Sequence, residues 1–444
     1  MRSKKVNLLS TLVIYSIALL TSLNLAAQQE QSLAFMTNVW QSNATNPAIV
    51  SDTKRVVALP SLYFNLNSPD LTLNSLIVKG GANGKDVLTI DGLQPQNRIN
   101  AHVQFQTLGL TLPVNEALYL TVHHSVWADP SVNVKGDLIK LLIKGNADPT
   151  FLGKTTAFGS SFNATIRSEF GFGAAYKMEN LTIGARAKVQ FGISGVFTKA
   201  NKLDITFNKD DYNMRFQNDF EVQTYSIDKF NNTNNVQDLL TNGVTSGNRG
   251  LSFDIGGTYK MEKWTFGASV IDLAGSIKWK NDAIAYSSKG DFTYKGINPI
   301  DQNNLFKFDS LSSTTFRDTL EKIIGFTEKT SDVTYTQKLP TKVYLTGSYA
   351  LNEKWTVGAL IYGEFGGDDT KTGVSLDATT KLFDILHVGA TFGLRNKTLN
   401  NVGAHVSALL GPVQVFAVTD NILTVFNPYN ANNANGRVGL NLIF

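Results

Sequence analysis

Long stretches of strict alternation between apolar and polar residues constrain this chain more than any other feature. In "EKWTVGALIYGEF" (353–365), Trp355 and Ile361 belong to one face and Thr356 to the other. The stretch "WTFGASVIDLAGSIKW" (264–279) begins with the same alternation. A period of two residues indicates a β-strand, and strands of soluble proteins usually have about 5–6 residues. These longer runs suit tilted strands that cross a bilayer, which need about 9–11 residues.

One hairpin pattern occurs three times along the chain. It appears as "GAAYKMENLTIGARAKVQFG" (173–192), "GGTYKMEKWTFGASVIDLAG" (256–275) and "GSYALNEKWTVGALIYGEFG" (347–366). Each copy has a strand that ends near tyrosine, a polar turn, and a strand that opens with Trp or Leu, Thr, an apolar residue and Gly. Aromatics beside turns are typical of the girdle of a membrane barrel. The alternative is a soluble β-protein that packs these aromatics in its core.

The lengths of the connections between predicted strands separate into two sets. The predicted strands are 55–66, 98–113, 116–128, 166–177, 181–197, 201–209, 212–228, 248–260, 264–280, 340–351, 353–366, 371–380, 382–395, 400–410, 412–420 and 436–444. Every second connection is short, including the "KDD" turn after 209. All the long ones fall in the other set, at 67–97, 129–165, 229–247, 281–339 and 421–435. Outer-membrane barrels have short periplasmic turns and long external loops. The pattern predicts sixteen strands, with fourteen left open, and both termini in the periplasm.

The chain ends on an alternating strand, "GRVGLNLIF", whose last residue is Phe444. A closed barrel has no free edge, so the last strand must pair with the first. We therefore expect Val438, Leu440, Leu442 and Phe444 to face lipid. A terminal aromatic also resembles the signal that the barrel-assembly machinery recognises, which implies this role for Leu440, Leu442 and Phe444.

The N-terminus has the pattern of a cleaved secretory signal peptide. Positive residues precede a short apolar run from Leu8 to Leu20, and small residues end at Ala27. We predict a signal peptide at 1–27, an N-terminal periplasmic or plug segment at 28–54, and a barrel at 55–444. An uncleaved anchor is the alternative. Removing 1–27 takes three positive charges and lowers the formal net charge from +4 to +1, which does not favour nucleic acid as a partner.

No pattern of catalytic or metal-binding residues is found in the sequence. There is no cysteine, so thiol nucleophiles, thiolate metal sites and a lipoprotein anchor are excluded. "GKTT" (153–156) lacks the first glycine of a phosphate loop. His123 and His124 are adjacent on a predicted strand and point to opposite faces, so they cannot jointly hold a metal. We predict no enzyme, no cofactor and no metal site.

Three loop segments have helical periodicity instead, at 136–145, 235–243 and 315–325. Their apolar faces comprise Leu138, Leu142, Val236, Leu239, Leu240, Phe316, Leu320, Ile323 and Ile324. Apolar faces outside the cell must pack on each other, cover the barrel mouth, or meet a hydrophobic ligand or partner.

A family resemblance adds to this interpretation. "NATNPAIV", with Asn46, Pro47 and Ala48, resembles the NPA element of the long-chain fatty-acid transporter barrels and of related Bacteroidota proteins, including type IX secretion components. The tail at 409–444 resembles a Bacteroidota family of uncharacterised outer-membrane barrels. In the transporters an N-terminal segment plugs the lumen, which implies the same for 28–54. The alternative for Asn46 and Pro47 is a helix cap followed by proline in the first turn.

Together these features predict an all-β protein, a transmembrane antiparallel barrel of 14–16 strands in the outer membrane. The leading functional hypothesis is passive uptake of a hydrophobic small molecule or an accessory role beside a secretion-system protein. The alternative is a non-transporting barrel that anchors or docks a partner protein. A transporter should have an apolar pocket under the loop helices, whereas a docking barrel should be filled.

Overall fold

Fourteen antiparallel strands form one closed barrel in the computed structural model. The described residues are 30–50, 55–78, 87–88, 90, 92–145, 148–211, 213–227, 241, 245–294, 325, 327–330, 332–366, 370–383, 385–395 and 398–444. The barrel strands are β1 (Val56–Asn67), β2 (Gln96–Pro113), β3 (Leu118–Lys135), β4 (Ser161–Lys177), β5 (Leu181–Phe207), β6 (Asn248–Met261), β7 (Trp264–Trp279), β8 (Thr341–Ala350), β9 (Trp355–Phe365), β10 (Lys371–Leu382), β11 (Leu386–Arg395), β12 (Thr398–Leu410), β13 (Val413–Thr419) and β14 (Asn433–Ile443). Each pairs with its sequence neighbours, and β1 also pairs with β14. The predicted barrel, closed by its last strand, is confirmed.

The preferred count of sixteen strands was wrong by two. The predicted strand 201–209 is the continuation of β5, which has 27 residues. The predicted strand 212–228 corresponds to Met214–Tyr225, which pairs with that continuation and lies outside the ring of barrel strands. The alternation of apolar and polar residues continues in the part of β5 beyond the barrel wall, because this part also has one buried face, which includes Ile205 and Phe207. Because both of these predicted strands lie outside the barrel, the number of barrel strands is still even.

The short and long connections lie at opposite ends of the barrel, as predicted. The turn end has the connections 114–117, 178–180, 262–263, 351–354, 383–385 and 411–412. The loop end has the long connections between β1 and β2, β3 and β4, β5 and β6, β7 and β8, and β13 and β14. One assignment was wrong: the "KDD" turn at 208–213 belongs to the loop end, because it joins β5 to Met214–Tyr225.

Large apolar side chains face outwards and polar ones face inwards. On β9, Trp355 and Ile361 are exposed, whereas Leu360, Tyr362 and Glu364 are buried, which confirms the predicted faces. The aromatics Tyr176, Tyr259, Trp264 and Trp355 are exposed near the turn end. An apolar outer surface around a polar interior is the reverse of a soluble protein and is the arrangement of a barrel that spans a membrane.

A second layer of structure lies beyond the loop end. The extension of β5 pairs with Thr155–Ala157 on one side and Met214–Tyr225 on the other, and Ala283–Tyr294 and Thr327–Thr330 follow. The remaining strands are Ile77–Val78, Val87–Leu88 and Tyr335–Lys338. The described residues include the helices Leu73–Leu76, Gly136–Lys144 and Leu423–Phe426, with 3-10 turns at Ser32–Phe35, Trp40–Ala44 and Pro428–Asn430.

Only one of the three predicted loop helices lies in the described part of the chain. In Gly136–Lys144, Leu138 packs against a cluster that includes Phe151, Phe158 and Phe207, whereas Leu142 is 77% exposed. The other predicted helix faces, with Val236, Leu239, Leu240, Phe316, Leu320, Ile323 and Ile324, lie outside the described residues, as does the predicted signal peptide. Among the described helices, none has the length and apolar character needed to cross a membrane.

Candidate functional site: the occupied lumen

Residues 30–50, here called the lumenal segment, lie inside the barrel. The backbone N–H groups of Gln31 and Ser32 donate to the carboxylate of Asp420, which follows β13, at 3.2 and 2.8 Å. Trp40 Nε1 donates to Thr111 Oγ1 on β2 at 2.8 Å. These contacts, with those described below, reach strands on opposite sides of the ring, so the segment lies across the lumen.

Inward-facing glycines leave room for the lumenal segment. A Cβ atom at Gly184 would lie 2.4 Å from Pro47 O, and one at Gly358 would lie 2.8 Å from Phe35 Cε1. Both distances are shorter than real Cβ contacts, so a larger residue would force the backbone at Pro47 or the ring of Phe35 to move. Similar close approaches pair Gly109 with Trp40, Gly256 with Asn46, Gly373 with Gln31, and Gly403 with Ser32.

Two of these glycines occupy the same position in the repeated hairpins. Gly184 and Gly358 are the glycines of "LTIGARA" and "WTVGALI". The third copy has Gly267, whose Cβ position is 2.4 Å from Thr346 Oγ1 of the wall and 3.5 Å from Asn46 Nδ2. Sequence reasoning recognised the repeat but did not assign a purpose to its glycine. The signal was present, because a glycine that weakens a strand often marks a close approach of another chain segment.

The predicted NPA element forms a turn against the wall. Ala48 N donates to Asn46 Oδ1 at 2.9 Å, and Asn46 Nδ2 donates to Gly257 O on β6 at 3.1 Å. Ile49 N donates to Asn46 O at 3.0 Å and closes the turn, and residues 47–50 are not helical. The helix-cap alternative for Asn46 and Pro47 was therefore wrong, because the asparagine caps a turn. Asn46, Pro47 and Ala48 are all buried.

A chain of buried ion pairs joins the wall strands β5 to β8. Asp254 on β6 accepts from Arg186 at 2.7 Å and from Lys188 at 2.8 Å. Asp272 on β7 pairs with Lys188 and, at 3.0 Å, with Lys342 on β8. Buried charges of this kind require partners, and here each carboxylate has two cations.

Two wall arginines extend this polar network to the lumenal segment. Arg186 donates to Asn43 Oδ1 at 2.7 Å and to the Asn43 carbonyl at 3.0 Å. On β14, Arg437 makes a salt bridge with Glu30. An amide pair between Gln41 and Asn441, at 3.0 Å in both directions, adds a third anchor.

A small polar cavity of about 60 Å³ remains between the network and the segment. Gln106 Nε2 and His123 Nδ1, from two residues in its lining, are buried without a hydrogen-bond partner among the described residues. A cavity of this size and polarity suits ordered water. It does not suit a hydrophobic solute.

A larger cavity, here called the turn-end cavity, lies on the other side of the segment. Its volume is about 600 Å³. Thr37–Trp40 and Ala48–Val50 form one boundary, and inward-facing residues at the turn ends of the strands form the wall. The lumenal segment therefore separates this cavity from the ion-pair network.

Comparison with known proteins identifies the family. A model of the family described as a family of unknown function (DUF5723) matches residues 47–420. The chain belongs to this family. The match begins at Pro47, inside the NPA element, and extends through all strands up to β13. No curated protein matches the chain.

Solved structures similar to this DUF5723 barrel include proteins whose names give them as transporters or channels. The Pseudomonas putida toluene transporter TodX is 10% identical over 95% of this chain and 94% of its own, with a TM-score of 0.41. The Ralstonia pickettii toluene transporter TbuX is 10% identical over 90% of this chain and 91% of its own, also with a TM-score of 0.41. Toluene transport is a property of those proteins.

The remaining predicted residues of the DUF5723 barrel lie at the closing seam and on the wall, where His123 also lines the small polar cavity. Leu440 is exposed on the outer face and Leu442 is half-buried. Phe444 is 65% exposed, and its backbone pairs with Arg55 at 2.9 and 3.2 Å, next to the β1–β14 seam. His123 and His124 bond different partners, Glu169 and Ser168. No group of three potential metal ligands occurs among the described residues.

The apolar pocket expected of a transporter is not found beneath the described loop helix. Leu138 and Leu141 of Gly136–Lys144 pack into the aromatic cluster of the loop-end layer. The neighbouring cavity is about 170 Å³ and has a mainly polar lining, which includes Asp137, Lys140 and Thr150. In this part of the loop end, Leu138 and Leu141 are therefore used for packing, whereas Leu142 stays exposed.

Proposed function

We propose that this protein is a plugged outer-membrane barrel that docks a protein partner, such as a component of envelope secretion, and does not conduct solutes while residues 30–50 occupy the lumen. One observation carries the proposal. The lumenal segment is bonded to the wall on all sides, through Asp420, Thr111, Gly257 and Arg186.

The chemistry of the lumen supports a docking role over uptake of a hydrophobic molecule. Sites for such molecules are mainly apolar with a few polar groups. Here the wall beside the segment has Arg186, Lys188, Asp254 and Asp272 in contact with one another. Each hydrogen bond contributes about 0.5–1.5 kcal/mol, and bonds to charged groups contribute about 1.5–3. Displacing the segment would break many of them together.

Passive uptake of a hydrophobic molecule is the second candidate, and the turn-end cavity favours it. This cavity of about 600 Å³ lies directly against Thr37–Trp40. If the lumenal segment moved, the cavity would join the rest of the lumen and form a continuous route. Uptake therefore requires a movement of residues 30–50, whereas docking requires none.

The experiment compares the full chain with a variant that lacks residues 30–50. Both are reconstituted in planar bilayers and expressed at equal levels in cells whose outer membrane excludes a hydrophobic fluorescent dye. The docking proposal expects no conductance and no dye uptake from the full chain, and conductance from the deletion variant. Dye or toluene uptake by the full chain would support the second candidate and refute the first.

A further inference from the structure

The turn-end cavity has a basic side formed by neighbouring strands. Lys177 ends β4, Lys260 lies near the end of β6, and Lys263 lies in the turn before β7. Lys260 and Lys263 are exposed, and neither forms an ion pair with an acidic side chain of the described residues. Glu179 is the one acidic residue in the described lining. The cavity therefore attracts negative charge.

A row of hydroxyl groups continues this polar side around the wall. Thr182, Thr258, Thr265, Ser348 and Thr356 come from the consecutive strands β5 to β9 and all line the cavity. A hydroxyl group both donates and accepts hydrogen bonds. This row therefore matches the alternating donors and acceptors of an extended peptide backbone.

The opposite side of the cavity is more apolar. Leu409 on β12 and Ile443 on β14 face inwards there, and Ile385 lies in the turn before β11. In a ring of fourteen strands, β12 lies across from β5. A ligand that spans the cavity thus meets lysines and hydroxyls on one side and aliphatic side chains on the other.

The lining suits a ligand that has both polar and apolar groups. Fourteen of the twenty-four lining residues are polar or charged, and the rest are apolar. The volume of about 600 Å³ and the opening at the turn end suit a short stretch of chain. Charge complementarity with the lysines favours an acidic stretch of chain.

We propose that the turn-end cavity binds an extended, acidic segment of a protein partner. Its carboxylates lie at Lys260 and Lys263, and its apolar side chains lie at Leu409 and Ile443. The inference rests on the proposed docking function and names its face and its chemistry. Because Thr37–Trp40 bound the same cavity, the bound segment also contacts the lumenal segment and holds it in place.

The test uses the purified full chain in detergent and a labelled eight-residue peptide of alternating glutamate and leucine. Fluorescence anisotropy gives its Kd for the natural protein and for the double variant Lys260→Gln, Lys263→Gln. The matched control is Lys354→Gln, Lys381→Gln, since these lysines are also at the turn end but do not line the cavity. We expect at least tenfold weaker binding for the first variant and less than a twofold change for the control.

A second peptide with glutamine in place of glutamate completes the test. It should bind at least tenfold more weakly than the acidic peptide, and salt should weaken only the acidic one. Equal binding of both peptides, or equal losses in the two double variants, would overturn the acidic-segment proposal. The conductance experiment above is independent of this result. A barrel that does not conduct and does not bind the acidic peptide would refute this inference and leave the proposed function standing.

Discussion

Arg437 Nη2 donates a 2.8 Å hydrogen bond to Glu30 Oε2 and so joins two residues that are 407 positions apart. Arg437 lies on β14, and its side chain is 1% exposed. The same guanidinium bonds Gln104 on β2 and Ser61 on β1. One residue therefore connects both sides of the closing seam with the segment in the lumen.

Replacing this arginine should destabilise the barrel strongly. In Arg437→Gln, the largely buried Glu30 loses its cation, and breaking a buried pair in this way costs up to about 3–5 kcal/mol. The measurement is the urea concentration at which the folded, heat-modifiable species is lost. Arg215→Gln is the control, because its pair with Asp291 is exposed and should matter little. Equal effects of both changes would contradict this role of Arg437.

A single methyl group at Gly184 should open the lumen. Its Cβ would lie 2.4 Å from Pro47 O, so the backbone of the lumenal segment must move. We expect Gly184→Ala to give conductance in planar bilayers and to lower stability by about 1–3 kcal/mol. Gly257→Ala is the matched control, since its nearest contact would be 3.5 Å. A closed Gly184→Ala barrel would show that the close approach does not hold the segment.

The orientation of the barrel can be tested with engineered thiols, because the chain has no cysteine. The residues Lys289, at the loop end, and Glu353, at the turn end, are both exposed. In intact cells, an impermeant thiol reagent should label Lys289→Cys and not Glu353→Cys. After the outer membrane is permeabilised, both should be labelled. Labelling of both in intact cells would refute the predicted topology.

The last strand should be essential for assembly, whereas its last side chain should be less so. Deleting 436–444 removes most of the pairing of β14 with β1 and β13, which leaves unpaired backbone groups in hydrocarbon at several kcal/mol each. Phe444→Ala loses about 1.5–3 kcal/mol of side-chain burial in lipid. A semi-native gel of membrane fractions should show no heat-modifiable species for the deletion and slower assembly for Phe444→Ala. A truncated chain that still gave the compact species would rule out closure by this strand.

Alternation and loop length predicted the architecture because both follow directly from the membrane. Successive side chains of a strand point to opposite faces of the barrel wall, so the outward position of Trp355 and the inward position of Glu364 could be assigned from the sequence. The same rule produced the error at 201–209, because a strand that leaves the membrane keeps alternating. Only the pairing partners, visible in the structure, separate Met214–Tyr225 from the barrel strands.

The site could be predicted only in part. The NPA element suggested a segment in the lumen, but its partners Gly184, Gly256 and Arg186 lie far along the chain, and no local pattern links them. The contacts depend on the order of strands around the ring, which fixes which inward residues meet. Cleavage of the signal peptide, the assembly signal at Phe444 and a Bacteroidota origin stay predictions.

The 27-residue strand β5 has a consequence for how a cell would present this protein. At about 3.3 Å per residue it is roughly 90 Å long, between about two and three times the length of the 9–11 residues that a tilted strand needs within hydrocarbon. Its far part pairs with Met214–Tyr225 along one side and with Thr155–Ala157 over three residues of the other side, so it stands out as a hairpin. If the loop end faces the exterior, as predicted, antibodies and phages that approach from outside meet the turn that begins with Asn208 and Lys209 before the barrel itself. An epitope tag inserted there would report surface display without touching the lumen.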